Sequence, residues 1–569
     1  MRPDATRLRD EDAASTEAGD TEAAWSLGVA EAGRRISAGV LTPSDLLESV
    51  LARIDAVDGA IRSYVRVIAN EARAEAARAT AEIAAGHWCG PLHGVPFAVK
   101  DNYDVAGVPA AAGGRVRLGR IPDRDATLVA ALRGAGAVLV GKLATWEYGT
   151  GDGGEYFDLP FPPARNPWDL SRFTGGSSTG AGAAVAAGTA PFALGSDTTG
   201  SVRLPAGACG VTGAIATGGR LSLEGVLPNC HSLDTPGPIC RSAEDAATIL
   251  GTLLGERDLA RGIGAPVSGM RVAVVRDIGR GFDAADEPMR RAFERAVETL
   301  ESLGVVLEEA RLPTPAAECL AVTQMIGPAE SAAIHEAELR ERAGDLGRAL
   351  RGKLLAGAGV RAVDYIQALR RRTEIAIALD VLMARFDALV TYGALRLPPR
   401  LGVEPEMTRF TLETMLTPFN LAGTPALVQR TGFSDEGLPT HWQIAAGRGR
   451  EGAMLRLAAA YERTRPHDGW PDIPAAAPPP PAVAPQTGAP SADFRARAGR
   501  MALDGLSDAD LGRMQELEAA TVSRGAALPR PSAKEVRPDF GSRTISPRTS
   551  GHGRSATGNQ LEPTGEDHG

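Results

Sequence analysis

An excess of basic residues is the first thing this chain lacks. Its 569 residues carry 61 lysines and arginines against 70 aspartates and glutamates, a formal net charge of −9. A general nucleic-acid binder needs a basic footprint, so no nucleic-acid partner is expected. Nor is there an unbroken apolar stretch of about 18 residues, the minimum for a membrane-crossing helix. The best contender, Ala181–Leu194, is short, is interrupted by glycine and contains Pro191. The N-terminus, MRPDATRLRDEDAAS, has no apolar core of the kind a secretory signal requires. Cysteine is scarce. Cys89, Cys209, Cys230, Cys240 and Cys319 show neither a CxxC pair nor Cys/His ligand spacing. An odd number of cysteines without a signal points to reduced thiols and a cytoplasmic location, and no metal is expected. Two nucleotide motifs are missing as well. Gly141-Lys142 is followed by Leu143 rather than the Ser or Thr of a P-loop, and no GxGxxG follows a strand. No cofactor is expected either.

What is present is an ordinary soluble composition, 43% hydrophobic and 23% charged, with much of the proline in a tail. The length allows one large domain with additions, or two or three ordinary ones. Residues 1–22 are polar and charged and are expected to be disordered. A helix starts near Thr42-Pro43-Ser44, capped by Thr42 or Ser44, with Leu46, Leu47, Val50, Leu51, Ile54 and Val57 on one stripe and Gly59 at its end. From about 90 to 250, short apolar runs (Pro96–Val99, Ala137–Val140, Phe192–Leu194) alternate with glycine-rich turns and Ala-rich stretches such as Ala126–Gly134. That alternation predicts an α/β layered fold. Further strands are expected at Arg271–Val275, Val305–Leu307 and Leu421–Arg430. Helices are expected at Glu287–Leu303, through most of 325–385, and at Glu451–Arg463. From Pro471 the run AAAPPPPAVAPQTGAP predicts an extended linker. The rest of 471–569 reads as a mostly disordered tail with one short helix at 507–522.

The chemistry concentrates in three segments: GVPFAVKDNYDVAG (Gly94–Gly107), FTGGSSTGAG (Phe173–Gly182) and ALGSDTTGSVRLPAG (Ala193–Gly207). A serine hydroxyl is a poor nucleophile at neutral pH and needs a base. No histidine lies in or beside either serine loop. Lys100 is the remaining candidate base, and a Ser–Lys arrangement is a known variant of triad chemistry. Glycines around Ser177 and Ser201 permit unusual backbone angles and close substrate approach. The run Asp197-Thr198-Thr199-Gly200-Ser201 is able to aim successive N–H groups at a carbonyl oxygen that gains charge. On loop chemistry alone, catalysis, anion binding at a helix start and a purely structural turn all stay open. His231 and Asp234 invite a Ser-His-Asp reading, but the lysine segment accounts better for the serines.

From about Leu92 to Leu250 the chain resembles the amidase signature family. The matching stretches are the three segments above, GKLATWEYGTG (Gly141–Gly151) and SLDTPGPICRSAEDAATIL (Ser232–Leu250), with weaker similarity in Phe410–Pro439. The resemblance implies a central mixed β-sheet covered by helices on both faces. It implies an amidase domain over 23–470, with the signature core at about 92–250 and the substrate-selecting part at about 300–420. It further implies a triad of Lys100, Ser177 and nucleophilic Ser201, a cis peptide bond at Gly176–Ser177, and an oxyanion hole from the backbone N–H groups of Thr198, Thr199 and Gly200. Ser178 is implied as a support for Lys100 or its loop. Arg203 either pairs with Asp197 to brace the loop or contacts a substrate carboxylate. Thr199 stands where the family more often has glycine, which narrows or strains the pocket.

The activity implied is hydrolysis of a small carboxamide through an acyl-enzyme, by a chain that is free-standing or a homodimer. The alternatives are the glutamine-hydrolysing A subunit of an aminoacyl-tRNA amidotransferase and a non-catalytic binding protein of the same fold. Leu204, where that subunit typically carries glutamine, and the altered stretch GAIAT (Gly213–Thr217) weigh against the first alternative.

Overall fold

The computed structural model describes residues 23–151, 158–465, 469–476 and 491–500, and within 508–523 residues 508, 511, 512, 514–516, 519, 520 and 523. The expected disorder of 1–22 and of most of the tail concerns residues outside that set.

The helix Pro43–Ile61 forms as its sequence dictates. Thr42 Oγ1 accepts the Asp45 N–H at 3.1 Å, Pro43 occupies the first turn, and the predicted stripe is buried. Gly59 does not end it. The helix runs on through Ala60 and Ile61, both buried, and stops at Arg62 in a left-handed conformation (φ 55°).

Eleven strands among the described residues form one mixed sheet. From edge to edge they are Tyr64–Val67, Val138–Leu143, Pro96–Lys100, Phe192–Asp197, Thr235–Cys240, Thr212–Ile215, Ala426–Phe433, Pro439–Ala445, Ala388–Tyr392, Arg271–Asp277 and Val306–Arg311. Pro96–Lys100 is parallel to both of its neighbours, and Arg271–Asp277 is parallel to both of its own. The other pairings are antiparallel. The central strands are buried along their whole length. Continuous apolar sequence with helical crossovers is what two-sided coverage of parallel strands requires. The helices Pro43–Ile61, Ala243–Leu253, Glu287–Ser302 and Glu451–Glu462 pack their apolar faces into one large core with the sheet.

Two differences from the sequence reading have identifiable causes. Leu421 and Ala422 belong to the helix Thr417–Ala422, which ends at Gly423 (φ 67°), so the following strand begins only at Ala426. The strand Thr212–Ile215 was not expected, because three of its four residues are small or polar. It is held by pairing with Thr235–Cys240 and Ala426–Phe433. Among the described residues no helix is long and apolar enough to cross a membrane.

Candidate active site

Lys100 and Ser196 stand at the carboxyl ends of adjacent parallel strands, Pro96–Lys100 and Phe192–Asp197. The ends of parallel strands are where open α/β sheets place their ligands. The loop after the helix Thr179–Ala187 feeds the second strand, and Ser177 and Ser178 precede that helix. The helix is built of small residues and is buried on every side, the pattern of an element with no solvent face. Ser201 lies between the strand Phe192–Asp197 and the helix Arg203–Cys209. Residues 77 and 96 positions from Lys100 are thereby brought to its amine.

The amine of Lys100 is fully buried. Its Nζ lies 2.7 Å from Ser177 Oγ, 3.0 Å from Ser196 Oγ and 3.4 Å from the Ser196 carbonyl oxygen. Asn102 Nδ2 donates to Ser196 Oγ at 3.0 Å and fixes that hydroxyl. Among the described residues no carboxylate bonds to this amine. Burial therefore pushes its pKa from 10.5 down to about 7, with the more distant Asp234 and Asp197 opposing the shift. Asp101, next in the chain, turns away from Lys100. Its Oδ1 accepts from Lys142 Nζ at 2.9 Å.

The peptide bond Gly176–Ser177 is cis, as the resemblance implies. Trp146 lies so close over Gly176 that a Cβ there would sit 2.2 Å from the indole ring, so only glycine fits. Ser178 donates its N–H to the Ser201 carbonyl at 3.3 Å, and its hydroxyl is 3.4 Å from the Ser196 carbonyl. It touches the loop rather than Lys100.

Asp197 organises the loop that carries Ser201. Its carboxylate accepts from the N–H groups of Gly200 (2.6 Å), Val202 (3.1 Å) and Arg203 (3.3 Å), from Arg203 Nε (3.1 Å) and from Asn420 Nδ2 (2.7 Å). Arg203 is buried and also donates to Gln443 Oε1 (2.6 Å), to the Leu416 carbonyl (3.1 Å) and to Asn420. Of its two expected uses, the brace is the one its bonds form, and Arg203 is not among the residues that line the cavity in front of Ser201. These bonds hold Asp197 ionised, with a pKa below the usual range despite burial. They also correct the oxyanion-hole expectation at Gly200, whose N–H points to Asp197. No hydrogen bond joins the N–H of Thr199 or of Ser201 to any described residue.

Ser201, Thr198, Thr199 and Gly200 line a cavity of about 450 Å³ whose walls come from distant parts of the chain, among them Trp146, Leu320, Lys353 and Leu412. Lys353 Nζ donates to Asn229 Oδ1 at 2.7 Å, and burial lowers its pKa to about 8. Asp234 does not serve a histidine. It binds Thr198 Oγ1 at 2.6 Å and the N–H groups of Asn229 and Cys230, while His231 is exposed. Sequence reasoning passed over Ser196, Asn102, Asn229 and Lys353. The first two lay inside segments already singled out, whereas the other two carry no local signal. Of the aromatic residues near the loops, Trp146 lines the cavity and Tyr148 is buried in a side cluster, while Tyr156 and Phe157 lie outside the described residues.

The family model described as Amidase matches residues 45–455. The A subunit of glutamyl-tRNA(Gln) amidotransferase from Moorella thermoacetica is 34% identical over 74% of this chain and 93% of its own length. A solved amidase superposes with a TM-score of 0.69 at 33% identity, over 77% of this chain and all of its own. A chain from a vestigial complex that bears on the evolutionary origins of an s-triazine catabolic enzyme superposes at 0.71 with 31% identity, over 79% and 100%. A family match across most of the chain, with the same fold in solved relatives, shows that this chain belongs to the amidase family and carries the amidase-signature fold.

Proposed function

We propose that the chain is an amidase that hydrolyses the C–N bond of a small carboxamide through an acyl-enzyme at Ser201. One observation carries the reading. A fully buried lysine amine, with a pKa near neutrality and no bonded carboxylate, lies 2.7 Å from Ser177 Oγ beside the cavity that Ser201 lines.

In the mechanism, neutral Lys100 accepts the Ser177 proton while Ser177 accepts that of Ser201. Ser201 Oγ bonds to the amide carbon, and the carbonyl electron pair moves onto oxygen. The contacts from Lys100 to Ser196 orient the amine so that its lone pair faces Ser177. Backbone N–H groups of Thr198, Thr199 and Ser201 receive the oxyanion, in place of the Gly200 donor. The C–N bond then breaks, and the leaving nitrogen takes a proton back along the relay. Water attacks the ester, and the carboxylate leaves with Ser201 restored. Fixed donors in a dry site contribute about 2.7–4 kcal/mol each to such a transition state. We assign this chemistry to a domain over 23–470, with selectivity drawn from 300–420. Leu320, Lys353 and Leu412 in the cavity wall support that assignment.

A second reading, the glutamine-hydrolysing subunit of an aminoacyl-tRNA amidotransferase, is favoured by the name of the Moorella relative. One experiment separates the two. Purified chain alone is incubated with a library of simple amides, and ammonia release is measured beside covalent capture by a serine-directed phosphonate. The amidase reading expects both, and expects Ser201→Ala to lose both. Release that requires partner subunits and tRNA supports the second reading. Neither release nor capture under any condition leaves a binding protein and overturns the proposal.

A further inference from the structure

The cavity in front of Ser201 has one wall that the family match does not reach. The match ends at residue 455, yet Glu516 and Ala520 line the cavity together with Ser201 and Lys353. This part of the chain is seated on the body of the protein. The helix Ala492–Arg500 places Phe494 at 2% exposure, and Leu511 and Met514 follow at 1% and 2%. The three join Tyr148, Leu339, Leu346, Leu350 and Leu354 in a separate apolar cluster. Two polar ties hold the segment on itself. Arg495 pairs with Asp508, and the Ser491 N–H donates to Gln515 Oε1 at 2.6 Å.

The helix Arg348–Ala358 explains how this reaches the site. Leu350 and Leu354, one turn apart, join the cluster with the C-terminal segment, whereas Lys353 and Ala356, three apart, line the cavity. Residues three or four apart are neighbours on a helix surface, so this one helix, with Leu350 beside Lys353, meets the C-terminal residues and the substrate space on adjoining faces. Large side chains from a segment that was merely passing by would not be almost fully buried. Burial of this kind is the dominant attraction between apolar surfaces.

We propose that Glu516 and Ala520, seated through Phe494, Leu511 and Met514, form a specificity-determining wall of the substrate cavity, which restricts the reaction to amides compact enough to fit between Ala520 and Ser201. The inference rests on the amidase reading. It goes beyond that reading, because it assigns selectivity to a segment outside the shared domain.

The test uses the full-length chain and two serine-directed phosphonates, one methyl-sized and one carrying a naphthyl group, with the labelling rate of Ser201 as readout. The double substitution Leu511→Asp, Met514→Asp removes the apolar grip, and Ala520→Trp fills the wall. The first is expected to raise the naphthyl-to-methyl rate ratio about tenfold and the second to lower it about tenfold, the scale on which an apolar pocket discriminates size. The opposed signs distinguish a shaped wall from general loss of fold, which slows both probes together. A rate ratio unchanged in both variants, with labelling intact, overturns this inference alone. Failure of every chain, wild type included, to label overturns the amidase reading and this inference with it.

Discussion

Two buried lysines on neighbouring strands show how the company a buried amine keeps decides its charge. Lys100 and Lys142 end or nearly end the parallel strands Pro96–Lys100 and Val138–Leu143, with Val99 in register with Lys142 and Lys100 with Leu143. Both side chains are shut off from solvent, and burial lowers both pKa values. Their company differs. Lys142 has the Asp101 carboxylate at 2.9 Å and its carbonyl at 3.2 Å, which favour the ammonium form. Lys100 has only hydroxyls and a carbonyl. Desolvation alone removes a proton, whereas desolvation against a carboxylate makes an ion pair. The chain places the Asp101 carboxylate on Lys142 rather than on Lys100.

The contrast can be broken most forcefully at Lys100. Lys100→Ala is expected to lower kcat by about 10³-fold without loss of folding stability, since an amine that is costly to bury is removed. Turnover measured against urea denaturation checks both halves. At the other lysine the effect falls on stability. Asp101→Asn leaves a buried ammonium without its counter-charge and is expected to cost about 3–5 kcal/mol, read from the urea midpoint, while the folded fraction keeps a wild-type pH profile.

In the proposed relay the Lys100 amine acts when neutral, so kcat/KM is expected to rise with pH, about tenfold per unit below pH 7, and to level above about 7. A rate flat from pH 5 to 9 contradicts the assignment. The smallest effect belongs to the hydroxyl that orients the amine. Ser196→Ala is expected to cost about tenfold or less, the scale of one hydrogen bond, and to show in kcat rather than KM.

The difference between the two lysines was only half visible in the sequence. Asp101 sits beside Lys100 in the chain, and nothing in GVPFAVKDN says that it reaches across to the next strand. Strands such as Phe192–Asp197 and helices such as Pro43–Ile61 were legible because periodicity and caps are local. Thr212–Ile215 was not, because its pairing partners rather than its own residues make it a strand. The same division runs through the site. Lys100, Ser177, Asp197 and Ser201 fall in dense, glycine-framed segments. Asn229 and Lys353 lie in unremarkable sequence and meet only through the fold. Glu516 and Ala520 at the cavity were hidden twice, since a proline-rich linker separates them from the other residues that line it.

The Asp197 carboxylate has a mechanical consequence. It ties Gly200, Val202 and Arg203 together, and through Asn420 and Arg203 it fastens the stretch from Leu416 to the same point. The serine loop and the far segment that crosses behind it therefore shift as a single stiff unit. An engineer who reshapes the pocket at 416–420 will move the Ser201 oxygen too, whereas Leu320 lies outside this knot and offers a place to reshape the cavity with the serine loop undisturbed.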